Sequence, residues 1–196
     1  MRTLKTKLLM TLLVIGAVGA VAGLGAFSAF SSQTTNAGNS FAAGTVNLTD
    51  NDAGAAMYSV TNRKPGQQVQ QCIKLTYDGT LPADVKLYTL STINALGGYV
   101  DLTIDKGTAT GATFPGCGTF TSESNIYTGT LGAFAAAKNS YANGVAAFPG
   151  SQTQWNQNDT LVYRFTLTLQ DDNNANGGAT PLSTGSHTFT FEARNQ

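Results

Sequence analysis

Charge is scarce in this chain: 11 Lys and Arg stand against 11 Asp and Glu in 196 residues, a formal net charge of zero. Without a basic excess there is no electrostatic footprint for nucleic acid. Histidine occurs once, at His187, and glutamate only at Glu123 and Glu192. A zinc hydrolase needs about three protein ligands, mostly histidine, and an open position for water. The chain has no H-E-x-x-H, and no nucleophile-elbow motif surrounds a serine that His187 could activate. These absences point away from an enzyme, and no cofactor is expected. Cysteine occurs twice and tryptophan once. There is no internal repeat and no sign of a second domain.

What fills the chain instead is Gly, Ser, Thr, Asn, Gln and Ala, a composition of strands and turns rather than of long solvated helices. The N-terminus differs. Arg2, Lys5 and Lys7 precede Leu8 to Phe27, twenty residues without a charge, and small residues follow at Ser28 and Ala29. That order is the layout of a secretory signal peptide. Small residues at −3 and −1 favour a cut after Ser28; a cut after Ala29, one bond on, would put Phe27 at −3. Residues 1–29 are therefore expected to be the signal peptide, with Ser28, Ala29 and Phe30 as the cleavage region. An uncleaved membrane anchor is the alternative for so long an apolar run, opposed by Gly16, Gly19, Gly23 and Gly25. Either outcome carries the remainder out of the cytoplasm. That remainder holds eight Lys and Arg against eleven Asp and Glu, a charge of −3. Contact with membrane is thus expected only through the signal segment, and a signal peptidase is the expected partner in export.

Both cysteines, Cys72 and Cys117, lie in the exported part and are expected to form a disulfide. Residues 30–43, small and polar apart from Phe30 and Phe41, read as a flexible arm. Residues 44–196 read as a single all-β domain. Candidate strands are Thr45–Leu48, Met57–Asn62, Val69–Tyr77, Asp84–Leu90, Tyr99–Ile104, Thr119–Thr121, Leu161–Gln170 and His187–Ala193. The period of two is plainest where Leu161, Tyr163, Phe165, Leu167 and Leu169 alternate with polar residues. Turn signals such as Lys64-Pro65-Gly66, Asp78-Gly79 and Pro115-Gly116 separate the runs. Leu131–Lys138 alone reads as helical. Many short strands at this spacing predict a jelly-roll-like β-sandwich.

Four stretches resemble one family, the TasA/camelysin group of exported Gram-positive proteins. Asn39-Ser40-Phe41-Ala42-Ala43-Gly44-Thr45-Val46-Asn47-Leu48 is similar to its N-x-F-x-A-G-T-L-D-L pattern. Asn62-Arg63-Lys64-Pro65-Gly66 resembles its N-x-K-P-G-D turn. Ile73-Lys74-Leu75 through Gly79-Thr80-Leu81-Pro82-Ala83-Asp84-Val85 resembles I-K-V-x-N-x-G-S-L-P-A-D-V, and Phe189-Thr190-Phe191-Glu192-Ala193 matches near the C-terminus. Asn47 and Gln67 depart from the family's usual aspartates, and residues 91–160 carry no such match. The resemblance implies a jelly-roll-like domain secreted to the extracellular matrix or cell surface. TasA-like members build biofilm fibres; camelysin-like members have been called metallopeptidases.

The candidate site residues follow from these readings. The arm, with Phe30 and Phe41, is the candidate for assembly, because an exposed sheet edge is a template for another chain's strand. Its partners would be further copies of the chain or other matrix proteins. No metal site is expected. Asp172, Asn174 and Asn176 share the spacing of half a calcium loop, but Ser183 stands where the bidentate glutamate belongs, and Asp50-Asn51-Asp52 is a sparser oxygen cluster. Trp155, with Tyr127, Tyr141 and Phe148, is the candidate for a glycan-binding surface; the alternative function is a cell-surface binding module whose ligand is a glycan or another surface protein. A camelysin-like metallopeptidase is the third.

Overall fold

The computed structural model describes residues 3–26, 42–176 and 182–196. They fall into two compact units that divide at Ala42/Ala43. In the first unit, Leu4–Ala26 forms helix α1. Its side chains are described as far as Ile15, and Leu8, Leu9, Leu12, Leu13 and Ile15 are all exposed. Among the described residues no helix is long and apolar enough to cross a membrane. The expected cleavage region, Ser28, Ala29 and Phe30, and the arm residue Phe41 lie outside the described residues.

The second unit is a β-sandwich. Its strands are β1 (Leu48–Asp50), β2 (Gln68–Tyr77), β3 (Ala83–Tyr88), β4 (Val100–Thr110), β5 (Thr119–Thr130), β6 (Val145–Ala146), β7 (Asp159–Leu169) and β8 (Thr190–Asn195). They form a five-stranded antiparallel sheet in the order β1-β2-β7-β4-β5 and a three-stranded sheet in the order β6-β3-β8. The alternation read from the sequence sets which face is inside. Ile73, Leu75 and Tyr77 of β2 meet Tyr163, Leu161 and Asp159 of β7 in register. Leu102 and Ile104 of β4 face Leu167 and Phe165. Against these the smaller sheet packs Ala83, Val85 and Leu87 of β3, all 0–1 % exposed. A short helix α2, Leu131–Ala137, closes one end with Leu131 and Phe134, and Thr130 caps it by accepting from the Ala133 N–H at 3.1 Å.

Four of the expected strands need correction. Met57–Asn62 is not a strand. Met57 and Tyr58 are adjacent yet both half-buried against the core, which an alternating strand cannot do, and Asn62 takes a positive φ of 53°. The third candidate from the end, Thr119–Thr121, is only the start of a twelve-residue strand. Thr45–Leu48 and His187–Ala193 are shifted, the strands themselves beginning at Leu48 and Thr190.

Candidate functional site

The two sheets are unequal, and that inequality creates the site. In β8, Phe189 just ahead of the strand, Phe191 and Ala193 point inward. Yet they are only half-buried, while Leu87 and Val85, their register partners across from Phe191 and Ala193, are sealed. The cause is topological. β8 pairs with β3 on one side and with no strand on the other among the described residues. The larger sheet continues through β2 and β1, so the far side of the core lacks a roof. A groove of about 890 Å³ lies there, with Leu48 and Asp50 of β1 on one wall, His187–Phe191 on the other and Ile73 and Leu75 at its base. A second hollow of about 450 Å³, walled by Val69, Leu96, Val100, Leu131, Leu167 and Leu169, shares Tyr58, Val60, Ser183 and Thr184 with the first. An apolar interior and a strand edge with free main-chain groups therefore meet in one open channel.

Residues 51–67 cross this open side without forming a strand. Tyr58 drops from them towards His187, its hydroxyl 2.5 Å from Nε2 with the rings 5.6 Å apart. His187 Nδ1 lies 3.0 Å from the Gly185 carbonyl. A carbonyl only accepts, so Nδ1 carries the proton and Nε2 accepts from Tyr58. Burial pushes the Tyr58 hydroxyl well above its usual range, which keeps it a donor. On the groove's other wall burial likewise raises the Asp50 carboxyl, whose Oδ1 accepts the Asp52 N–H at 3.0 Å.

The opposite flank is shut. The β4–β5 hairpin carries two register shifts, between Ile104 and Asp105 and between Lys106 and Gly107. Gly107 is required there, because a Cβ would land on the Thr121 carbonyl oxygen. The hairpin's loop folds back on the outer face of the large sheet, where Pro115 O accepts the Cys72 N–H at 2.8 Å and Cys117 bonds covalently to Cys72. The expected disulfide is thus a clamp. Beside it Arg164 Nη2 donates to Asp105 Oδ2 at 2.8 Å and stacks 4.6 Å from the Phe120 ring, while Asn125 Nδ2 donates to Asp105 Oδ1 at 3.1 Å. This network was not read from the sequence; the bulges that aim Asp105 and Asn125 at one another leave no local signature.

The remaining candidates separate widely. Trp155 is no glycan platform: it is fully buried, its Nε1 donates to Ala147 O at 2.7 Å, and its backbone pairs with Ala83. Tyr127 stacks edge-on against Phe134, and Tyr141 lies under Arg194 and Lys86. In the calcium candidate, Asp172 Oδ1 accepts both N–H and Nδ2–H of Asn174, at 2.8 and 3.0 Å, inside a 3₁₀ turn that runs to Asn176; the loop then leaves the described residues. No group of three His, Cys, Asp or Glu among the described residues is placed to hold a metal ion. The lone histidine has both nitrogens engaged, and both cysteines are oxidised. These donors do not fit a catalytic zinc.

Residues 3–115 match the family described as camelysin metallo-endopeptidase, more than half of the chain. The match takes in α1, the crossing segment of residues 51–67 and the first four strands of the sandwich. No curated protein matches the sequence.

Proposed function

The chain belongs to the camelysin family, the TasA/camelysin group whose motifs it resembles, and from that premise we propose that it is a secreted, non-enzymatic structural protein. It acts in the extracellular matrix or at the cell surface, joining fibres by strand donation. The observation that carries this reading is the half-roofed core beside β8, where Phe189 and Phe191 stay half-buried above a groove of about 890 Å³. A strand laid along β8 would extend the small sheet opposite β2 and β1. It would gain roughly 0.5–1.5 kcal/mol for each main-chain hydrogen bond and cover apolar surface at about 25 cal/mol per Å². The donor is the segment Phe30–Phe41 of another copy, uncharged and bearing an aromatic at each end. A head-to-tail contact of this kind propagates as a filament instead of closing. Export supplies the setting: Arg2, Lys5 and Lys7 ahead of the uncharged run from Leu8 to Phe27 suit a signal segment removed by signal peptidase, and a disulfide suits an oxidising compartment. The peptidase activity in the family's name finds no fitting ligand set here, and no step is assigned to a metal.

The test is to delete residues 30–40 from the mature protein and examine it by electron microscopy. Loss of filaments is expected. Filaments that form undiminished overturn the arm as donor.

A further inference from the structure

The channel beside β8 is not empty of chain. Residues 56–63 pass over it, and their bonding is unlike that of any neighbouring segment. Among the described residues, none of their backbone N–H or C=O groups joins another backbone group, the last such bond before them being Ala55 N–H to Asp52 O and the next Gln67 N–H to Lys64 O. Their one hydrogen bond among the described residues is that of Tyr58 to His187. Two side chains, Met57 and Tyr58, are lowered onto the core; Ser59, Val60, Thr61, Asn62 and Arg63 are exposed. By contrast β2 and β7, which lie beneath, are paired residue for residue along ten positions.

We propose that residues 56–63 are a removable plug that occupies the place of the incoming strand, with the Tyr58–His187 hydrogen bond as its latch. This inference rests on the strand-acceptor reading above and adds to it an autoinhibitory contact. The physical logic is a competition. Unfilled, the channel would leave Phe189 and Phe191 in water, so a lone molecule benefits from any apolar cover. Met57 and Tyr58 supply that cover from the molecule's own chain. The plug offers β8 no main-chain partners, so a strand that does offer them outcompetes it. Opening costs little because the segment has no backbone bonds to break among the described residues, and segments with few such bonds open at free energies far below global unfolding. His187 sits three residues before β8, on the same wall of the groove, so releasing Tyr58 frees the wall against which the new strand must lie.

The experiment is hydrogen exchange followed by mass spectrometry on the secreted protein and its Tyr58→Phe variant. Each is measured alone and with a synthetic peptide of residues 30–43 as probe. Tyr58→Phe keeps the ring and removes only the latch; unchanged exchange in β2 and β7 certifies the fold. In the free protein, residues 56–63 are expected to exchange on the order of 100-fold or more faster than β2 and β7. Tyr58→Phe should speed them by a further fivefold or so, the worth of one net hydrogen bond. Peptide should slow Thr190–Asn195 while residues 56–63 accelerate, and the variant should need about fivefold less peptide. Exchange of 56–63 as slow as that of β2, or equal in the two proteins, overturns the plug. Protection of β8 with 56–63 unmoved also overturns it but leaves strand donation standing. Failure of the peptide to protect β8 in either protein overturns strand donation, and the plug's role with it.

Discussion

Arg164 projects from the middle of β7 onto the outer face of the large sheet, where two different interactions converge on it and a third braces its partner. Asp105 takes its Nη2–H, the Phe120 ring lies under its guanidinium, and Asn125 steadies the carboxylate from the far side. The side chains of Arg164 and Asp105 are 27 % and 12 % exposed, so the pair is only partly screened by water. Removing one member leaves the other desolvated without its counter-charge, which costs more than the pair itself contributes. Arg164→Ala is therefore expected to lower stability by about 2–3 kcal/mol. The double variant Arg164→Met with Asp105→Asn should lose less than the sum of the two single changes. Urea unfolding of the four proteins gives the coupling directly, and additive losses would mean that the ion pair contributes nothing of its own. Trp155 teaches a different lesson at the same scale. A single tryptophan among Asn and Gln looks like a sugar platform in sequence, but its indole N–H finds the Ala147 carbonyl and its ring fills the core.

The elements divide by how much of their environment is encoded locally. β2 and β7 are legible because their two faces differ: Leu161, Tyr163, Phe165 and Leu167 are buried, and of the residues alternating with them only Val162 is buried too, Arg164, Thr166 and Thr168 being half-buried. β5 is an edge strand with both faces largely exposed, so Ser122, Glu123, Ser124 and Asn125 show no period of two and the reading stopped at Thr121. Residues 57–62 misled in the opposite way. Met57, Tyr58 and Val60 have strand-like propensity, but no partner strand is there to bond them, and packing turned two adjacent side chains inward. The groove was the least legible feature, since it arises from a missing strand between elements more than 100 residues apart in sequence. The disulfide was legible from compartment and count, though not its position as a clamp of the β4–β5 loop. Closing a 45-residue separation should contribute about 4 kcal/mol by loop entropy. Cys72→Ser with Cys117→Ser is expected to lower the guanidinium midpoint accordingly. The β4–β5 loop, held otherwise by the Cys72–Pro115 hydrogen bond, should become the first site of limited proteolysis; a loop that resists protease as before would show that the covalent link is not what holds it.

At the scale of the whole molecule, one flank is open and the other is blocked. Beside β8 lies an accessible edge over unsealed aromatics; at the far edge β5 carries two bulges and the charge of Glu123, both devices that discourage pairing. β6 is two residues long and β1 three, too short to template much. Under the proposed strand donation, a subunit built this way would have a valence of two, one socket and one tongue. Its polymers would be linear and unbranched, with their length set by whatever fills the last socket. Molecules lacking residues 30–40 keep the socket and lose the tongue, so they behave as chain stoppers. Mixed with intact protein at about one part in twenty, they should cut mean filament length severalfold at unchanged total mass of protein, as read from electron micrographs. Length distributions indifferent to the truncated species would mean that growth proceeds from some other surface.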